Sequence, residues 1–317
     1  MSISSDFPSA LKAGSVKGQL RKMASQYDSG EIAYSLVLAD GDSRQKIPLN
    51  ALLGQQIRLS HTGRIYCVEC GRATKKSFNQ GFCYPCFSKL AACDTCMMDP
   101  VTCHYDQGTC REPEWAETVC MSDHLVYLSL TSSVKVGITR ITQMPTRWID
   151  QGATQALAVM RTRTRHQAGC IEDVLRKSLT DRTAWQKMLK GNAEEQNLRE
   201  LWQALKVEHQ DALDGLTQRF GLQAFEDVSD SEDWNLHYPV LKFPTKVTSF
   251  NFDKQPEVAG QLLGIKGQYW ILDTGVINLR KFGGYEVEVV CESPAIALAN
   301  EQDQQQGQAT TPSLFEE

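Results

Sequence analysis

Apolar and polar positions divide the chain into stretches of different period. Within residues 16–66, "EIAYSLVLAD" is rich in strand formers, and "DGD" at 40–42 is turn chemistry. "IPLNALLGQQIRLSHTGRIYC" continues with short apolar runs broken by Gly54 and Gly63. These patterns predict a small β-sheet or barrel. Residues 67–124 lose all periodicity. Residues 125–190 read β-β-α-β-α. "LVYLSL" and "VKVGIT" form two strands around the turn "TSS", and "MPTRWIDQ" is a short helix with Pro145 in its first turn. "ALAVMRTRTR" is a third strand, and "AGCIEDVLRKSL" is a helix with Ile171, Val174, Leu175 and Leu179 on one face. Leu198, Leu201, Trp202, Leu205, Leu213, Leu216 and Phe220 then recur at the helical period, with Gly221 as C-cap. That stretch is one long helix or a hairpin broken near Gly215. An acidic linker, "EDVSDSEDW", follows. Residues 238–292 return to strands: "PVLKFPTKVTSFNF", "GQLLGIKGQYWILD", "VINLRK" and "YEVEVV".

The pattern predicts an α+β protein. Its segments are an N-terminal β-rich part (1–63), a cysteine-rich part (64–124), a central module with a small mixed sheet and flanking helices (125–190), a long helix or hairpin (191–225), a C-terminal β-rich part (238–292) and a polar, Gln-rich tail (293–317) that reads as disordered. The two β-rich parts lack helices and are able to pack together.

Composition narrows the class. The 317 residues are 41% hydrophobic and 22% charged, ordinary for a globular protein. No apolar run reaches the roughly 18 residues of a membrane helix, and "MSISSDFPSALKAGS" is unlike a secretory signal. We expect a cytoplasmic protein, in a bacterium. The net charge of −5 conceals alternating blocks. Residues 58–92 carry six Lys/Arg against one acid, residues 93–125 one against seven, residues 126–190 eleven against four, and residues 191–317 nine against twenty-one. Two basic blocks around an acidic one suit a polyanion partner; solubilising surface charge is the alternative.

Nine of the eleven cysteines (Cys67, Cys70, Cys83, Cys86, Cys93, Cys96, Cys103, Cys110 and Cys120) lie in one short region. In a reducing compartment such a cluster binds metal and does not form disulfides. Cys170 and Cys291 stand apart as core residues. Cys67-x2-Cys70 and Cys83-x2-Cys86 have the spacing of a four-sulfur zinc site, which holds a fold and leaves no open position for chemistry. Cys93-x2-Cys96 is half of a second site. Its partners come from Cys103, His104, Cys110, Cys120 and His124, with Cys103 and Cys110 preferred and Cys120 next. Between the first two pairs, Arg72, Lys75, Lys76 and Phe78 offer cations and an aromatic for a phosphate and a stacked base, or simply a solvated loop.

The order of "LVY", "KVG", "PTRW" and "CIEDVLRKSL" resembles the GIY-YIG nuclease superfamily over roughly 65 residues. The resemblance implies that Tyr127, the position of Lys135, Arg147 and Glu172 are catalytic, and that Glu172 holds Mg2+ or Mn2+. The chain departs from the pattern. Leu125-Val126 replace Gly-Ile, Lys135 replaces the second tyrosine, and Asn192 is the only candidate for a late asparagine. The chain is also similar to a bacterial family of cysteine-rich proteins catalogued as a domain of unknown function.

Physical chemistry supports the same roles. Arg147 can clamp phosphate oxygens, and a carboxylate such as Glu172 can hold a hydrated divalent cation. Tyr127 could take a proton if nearby cations such as Lys135 lowered its pKa. Each residue also has a plain structural reading: Tyr127 as a core aromatic, Arg147 and Glu172 as an ion pair or solvated charges, Lys135 as a surface residue, and Gly137 as a turn. On a strand, Arg161, Arg163 and Arg165 would share one face and need an anion such as a nucleic-acid backbone. His166 could shuttle a proton or lie idle at the surface.

The sequence therefore predicts phosphodiester hydrolysis by a module held by one or two structural zinc ions. The alternative is a catalytically silent DNA- or RNA-binding zinc protein, and a third reading is a scaffold without nucleic acid. The tail's Leu314-Phe315 matches half of the pattern by which peptides bind bacterial sliding clamps; a frayed terminus is the other reading.

Overall fold

The computed structural model of the chain describes residues 14–28, 30–179 and 182–291. The sliding-clamp expectation at Leu314-Phe315 lies outside them. The fold is α+β, with 29% helix and 35% strand. None of the helices among the described residues is long and apolar enough to cross a membrane.

The first part contributes β1 (Gly14–Leu20), β2 (Ala24–Asp28), β3 (Glu31–Asp40), β4 (Ser43–Pro48) and β5 (Gln56–Tyr66), followed by the short β6 (Ala73–Thr74). The cysteine-rich part holds α1 (Tyr84–Lys89) and α2 (Pro113–Val119), joined by 3-10 turns. The central module is β7 (His124–Leu130), β8 (Val134–Arg140), α3 (Thr146–Asp150), β9 (Gln155–Thr162) and α4 (Arg165–Leu175). Then come α5 (Trp185–Met188), α6 (Leu198–Glu208) and α7 (Gln210–Phe220), β10 (Phe225–Asp227) and β11 (Trp234–Asn235). The chain closes with β12 (Glu257–Lys266), β13 (Tyr269–Leu272), β14 (Gly275–Asn278) and β15 (Tyr285–Cys291).

The two β-rich ends form one ten-stranded sheet in the order β14-β13-β12-β5-β15-β1-β3-β2, with β4 on β3 and β6 on β5. Burial explains it: β12 and the first half of β3 bury every second side chain, and toward their ends both strands have runs buried on both faces, so each needs partner layers. That layer comes partly from the module, since Tyr127, Trp148, Ile149 and Ala156 share a core with the large sheet. A row of rings, Tyr127–Trp148–Trp234–Tyr27, with centroids 5.8, 5.6 and 5.1 Å apart, joins module to sheet.

The module's own sheet runs β10-β9-β7-β8, with β11 also on β9, and every pairing is antiparallel. The other face of β7, through Val126 and Leu128, packs on Ala168, Ile171 and Leu175 of α4 and on Leu198, Trp202 and Leu205 of α6. Cys170 and Cys291 are buried, as core residues should be.

Several local expectations change. The helical stretch breaks at His209, not near Gly215, into α6 and α7. "PVLKFPTKVTSFNF" forms no extended strand; Pro239 and Pro244 interrupt it, and only Val240 and Ser249 make isolated bridges. The acidic stretch is no linker. Its ends are β10 and β11, which pair with β9.

Candidate metal centre and nucleic-acid interface

Cys67 closes β5, Cys70 follows a tight turn, and Cys83 and Cys86 lie at the start of α1. The four sulfurs stand within 3.6–3.8 Å of one another, so they can hold a metal such as zinc. The amide of Cys83 donates to Cys67 Sγ at 3.2 Å. Burial raises the Cys67 thiol, but backbone N–H groups of Cys70, Cys83 and Glu69 outweigh it and bring it down to about 6. A pre-polarised thiolate is what a thiophilic cation requires.

Around this quartet Arg72, Lys75 and Lys76 are exposed, and the Lys76 ammonium lies 5.1 Å from the Phe78 ring centroid. Phe78 stacks on Phe87 and meets Tyr84 edge-on at 5.6 Å. Tyr84, which the sequence reading passed over, is 63% exposed. Its position inside "CYPC" was the available signal: a metal-bound turn has little core in which to hide a ring. The lobe docks on the large sheet, where Arg280 Nε donates to Gln80 Oε1 at 2.6 Å.

Cys93, the expected partner of Cys96, does not line the cavity that Cys96 lines. It is buried against the first lobe, where Asn79 Nδ2 donates to its sulfur at 3.6 Å. Cys96, Cys103, Cys110 and Cys120 instead surround a separate small cavity, beside Asp94 and His104. His104 is occupied at both nitrogens, Nδ1 by Thr109 Oγ1 at 2.7 Å and Nε2 by Asp94 at 3.4 Å. His124 is buried and donates from Nδ1 to the Ser122 carbonyl at 2.7 Å.

In the module, Tyr127 stands opposite Gly137 in the β7–β8 register. Gly137 is mid-strand and not a turn. A Cβ there would lie 2.6 Å from the Tyr127 hydroxyl, so glycine makes room for the ring. Tyr127 is fully buried and its hydroxyl donates to Gln151 Oε1 at 2.9 Å. Burial raises the phenol pKa despite the Arg147 guanidinium beside it, opposite to the lowering that base chemistry would need. Lys135 is buried on β8, opposite Ser129 and on the same sheet face as Tyr127, and is no surface residue.

Arg147 on α3 and Glu172 on α4 both lie within electrostatic reach of the Tyr127 hydroxyl. Arg147 makes no ion pair among the described residues, and its Nε is buried without a hydrogen-bond partner. Two further guanidinium groups, those of Arg165 and Arg280, lie within electrostatic reach of it. Arg165 donates to the Met97 carbonyl at 2.8 Å, Arg280 donates to Gln80, and neither makes an ion pair among the described residues. Burial lowers the pKa of both and repulsion from Arg147 adds to it, opposed by Cys120 and Glu172 near Arg165 and by Asp150 near Arg280. Arg280 comes from the large sheet's last turn, 133 residues beyond Arg147, so no local pattern announced it. Glu172, the expected Mg2+ or Mn2+ ligand, gathers no further carboxylate, histidine or cysteine into a ligand group among the described residues.

The three arginines of "RTRTR" do not share a strand face. β9 ends at Thr162; Thr164 and Gln167 form a capping box, and Arg165 begins α4. Arg161 is bonded to Asp123, with Nε–Oδ2 2.9 Å, and lies 3.6 Å from Glu226. Arg163 is 3.6 Å from Asp123. Acids distant in sequence thus already neutralise two of the three. His166 meets Phe220 edge-on, and burial lowers its pKa. Asn192 Oδ1 accepts from Lys266 Nζ at 2.8 Å, which ties it to the large sheet.

No curated protein matches the chain, and no solved structure does. A family model described as a protein of unknown function, DUF2797, matches residues 54–287, from before the first cysteine pair to the last strand. With 234 of 317 residues matched, the chain belongs to that family.

Proposed function

We propose that this protein binds nucleic acid through the phosphodiester backbone, held by thiolate-bound zinc, and does not hydrolyse it. The observation that carries the reading is that Arg165 and Arg280 lie within electrostatic reach of Arg147, all three being partly buried guanidinium groups without an ion-pair partner among the described residues. Like charges brought together at half-burial are costly unless an anion joins them, and planar guanidinium groups match phosphate oxygens. The first zinc lobe adds exposed Arg72, Lys75 and Lys76 with Tyr84 as a platform for an unpaired base. Arg161 and Arg163 drop out of the interface, since Asp123 and Glu226 already serve them.

Hydrolysis is the second reading, favoured by Tyr127, Arg147 and Glu172 lying within reach of one another in the order that the GIY-YIG resemblance implies. Against it, a buried phenol with a raised pKa is a poor proton acceptor.

Fluorescence anisotropy with labelled single-stranded DNA and RNA tests the proposal. We expect affinity that falls steeply with salt, and a loss of about tenfold in each of Arg147→Ala, Arg280→Ala and Tyr84→Ala, matching about 1–3 kcal/mol per contact. Absence of salt-dependent binding by zinc-replete protein refutes it. Cleavage in Mg2+ that Glu172→Ala abolishes would establish the second reading.

A further inference from the structure

The second cysteine group poses its own question. Cys96, Cys103, Cys110 and Cys120 line a cavity of about 20 Å³, space for one water-sized or ion-sized occupant. Asp94, His104 and Tyr105 line it as well, and Ala91, Met97, Trp115 and Ala116 complete the wall, so four sulfurs make up most of the groups able to coordinate an occupant. Each cysteine sits at the end of a tight element. Cys96 lies within the turn Thr95–Met97, Cys103 follows Pro100–Thr102, Cys110 follows the left-handed Gly108, and Cys120 caps α2.

Asp94 and His104 each bring a ligand atom within 4.8 Å of the Cys96 sulfur and of each other, but both already have protein partners. Asp94 Oδ1 accepts from Thr95 N at 2.6 Å, and Oδ2 lies 2.8 Å from Arg111 Nε. The same Oδ2 faces His104 Nε2, while Thr109 takes His104 Nδ1. Cys93, the expected partner of Cys96, is turned to the first lobe. Unlike the first quartet, these four sulfurs are not all within 4.8 Å of one another; they ring the cavity. An ion at its centre would draw the four turns inward and displace the thiol protons to solvent.

Those turns also hold the module. The Cys120 carbonyl accepts from Arg165 N at 2.8 Å, and the carbonyl of Met97, next to Cys96, accepts from the Arg165 guanidinium at 2.8 Å. Gly169, one turn along α4, lies so close to Pro100 that a side chain there would collide with the ring.

We propose a second metal centre, formed by Cys96, Cys103, Cys110 and Cys120, that takes zinc or another thiophilic divalent ion and thereby fixes Arg165 beside Arg147. The metal part stands independently of the nucleic-acid reading; the positioning part rests on it.

Metal counting on the full chain tests the site. Wild type purified with zinc should hold two ions per chain, and Cys93→Ser should also hold two. Cys103→Ser/Cys110→Ser should hold one and, after cobalt exchange, lose about half of the thiolate-to-cobalt absorbance. One ion in wild type, or loss of an ion in Cys93→Ser but not in the double variant, overturns the assignment. Should the double variant fail to fold, alkylation of wild type decides. Cys103 and Cys110 should be protected in zinc and modified after chelation, and equal modification in both states overturns the site. For positioning, the folded double variant should bind single-stranded nucleic acid about tenfold more weakly than Cys93→Ser. One ion lost with affinity unchanged overturns the role given to Arg165 and leaves wild-type nucleic-acid binding standing.

Discussion

The two cysteine lobes use the same ligand chemistry and are built to opposite ends. The first, residues 67–90, brings four sulfurs to 3.6–3.8 Å and turns Arg72, Lys75, Lys76 and Tyr84 to solvent. The second, residues 93–123, is acidic, rings a cavity with its sulfurs and lies against α4 through Pro100 and Gly169. The difference follows from what each lobe packs on. Lobe one has a few aromatic rings, the end of β5 and the turn that carries Arg280, so a metal held by its four sulfurs would supply much of its stability. Lobe two shares contacts with a helix that has its own core, so it braces that helix and the arginine at its start.

The largest effect that would sharpen this contrast comes from Cys83→Ser. Structural zinc supplies on the order of 10 kcal/mol of folding energy, so lobe one should open. Limited proteolysis should then cut within residues 67–90, while α4 and the large sheet stay protected. Equal sensitivity of the two lobes would break the comparison.

Next in size is a pH effect confined to the border of lobe two. His124 is buried beside Arg140 and Arg165, with Asp123 opposing them, and burial is the main reason that its pKa falls to about 4. In the unfolded chain it titrates near 6.5. The unfolded state therefore binds the extra proton first, and stability present above about pH 6.5 is lost as pH falls toward 4. Wild type should lose about 3 kcal/mol more than His124→Gln between pH 7 and 4 in urea unfolding, the two proteins being compared in the same buffer and metal content at each pH. Parallel pH curves for the two proteins would show that the imidazole carries no such linkage.

The smallest is Gly169→Ala. The added methyl meets Pro100, and overpacking of this kind costs about 1–3 kcal/mol. The urea midpoint should fall, with the metal of lobe one retained. An unchanged midpoint would mean that lobe two rests on α4 only loosely.

Several of these features could be read directly from the residues. The hairpin of β3 and β4 follows from strand formers ahead of the turn at Asp40-Gly41-Asp42. The buried faces of α4 and α6 follow from the recurrence of Ile171, Leu175, Leu198, Trp202 and Leu205. The first sulfur quartet follows from its spacing. "RTRTR" was misread although the signal lay nearby: Thr164 and Gln167 have capping-box spacing, which marks a helix start at Arg165. The β-branched threonines between the arginines concealed it by imitating a strand.

The second sulfur group was ambiguous for a physical reason. A Cys-x2-Cys pair normally shares a metal, but the Cys93 sulfur accepts from Asn79 of the first lobe while Cys96 lines a cavity with three other cysteines, and no local rule contains those contacts. The same holds for charge. The net excess of "RTRTR" cannot be judged without knowing that Asp123 and Glu226 lie beside it, 38 and 65 residues from Arg161.

By itself, then, the sequence determined the periods, turns and metal-ligand pairs, because each depends on residues only a few positions apart. Tertiary structure alone decided which sulfurs share a cavity, which arginines make no ion pair among the described residues, and whether Tyr127 meets solvent. Those properties depend on burial and on neighbours brought together from distant segments, and the free energy of a charge or a thiol is set by such surroundings more than by the residue's own identity.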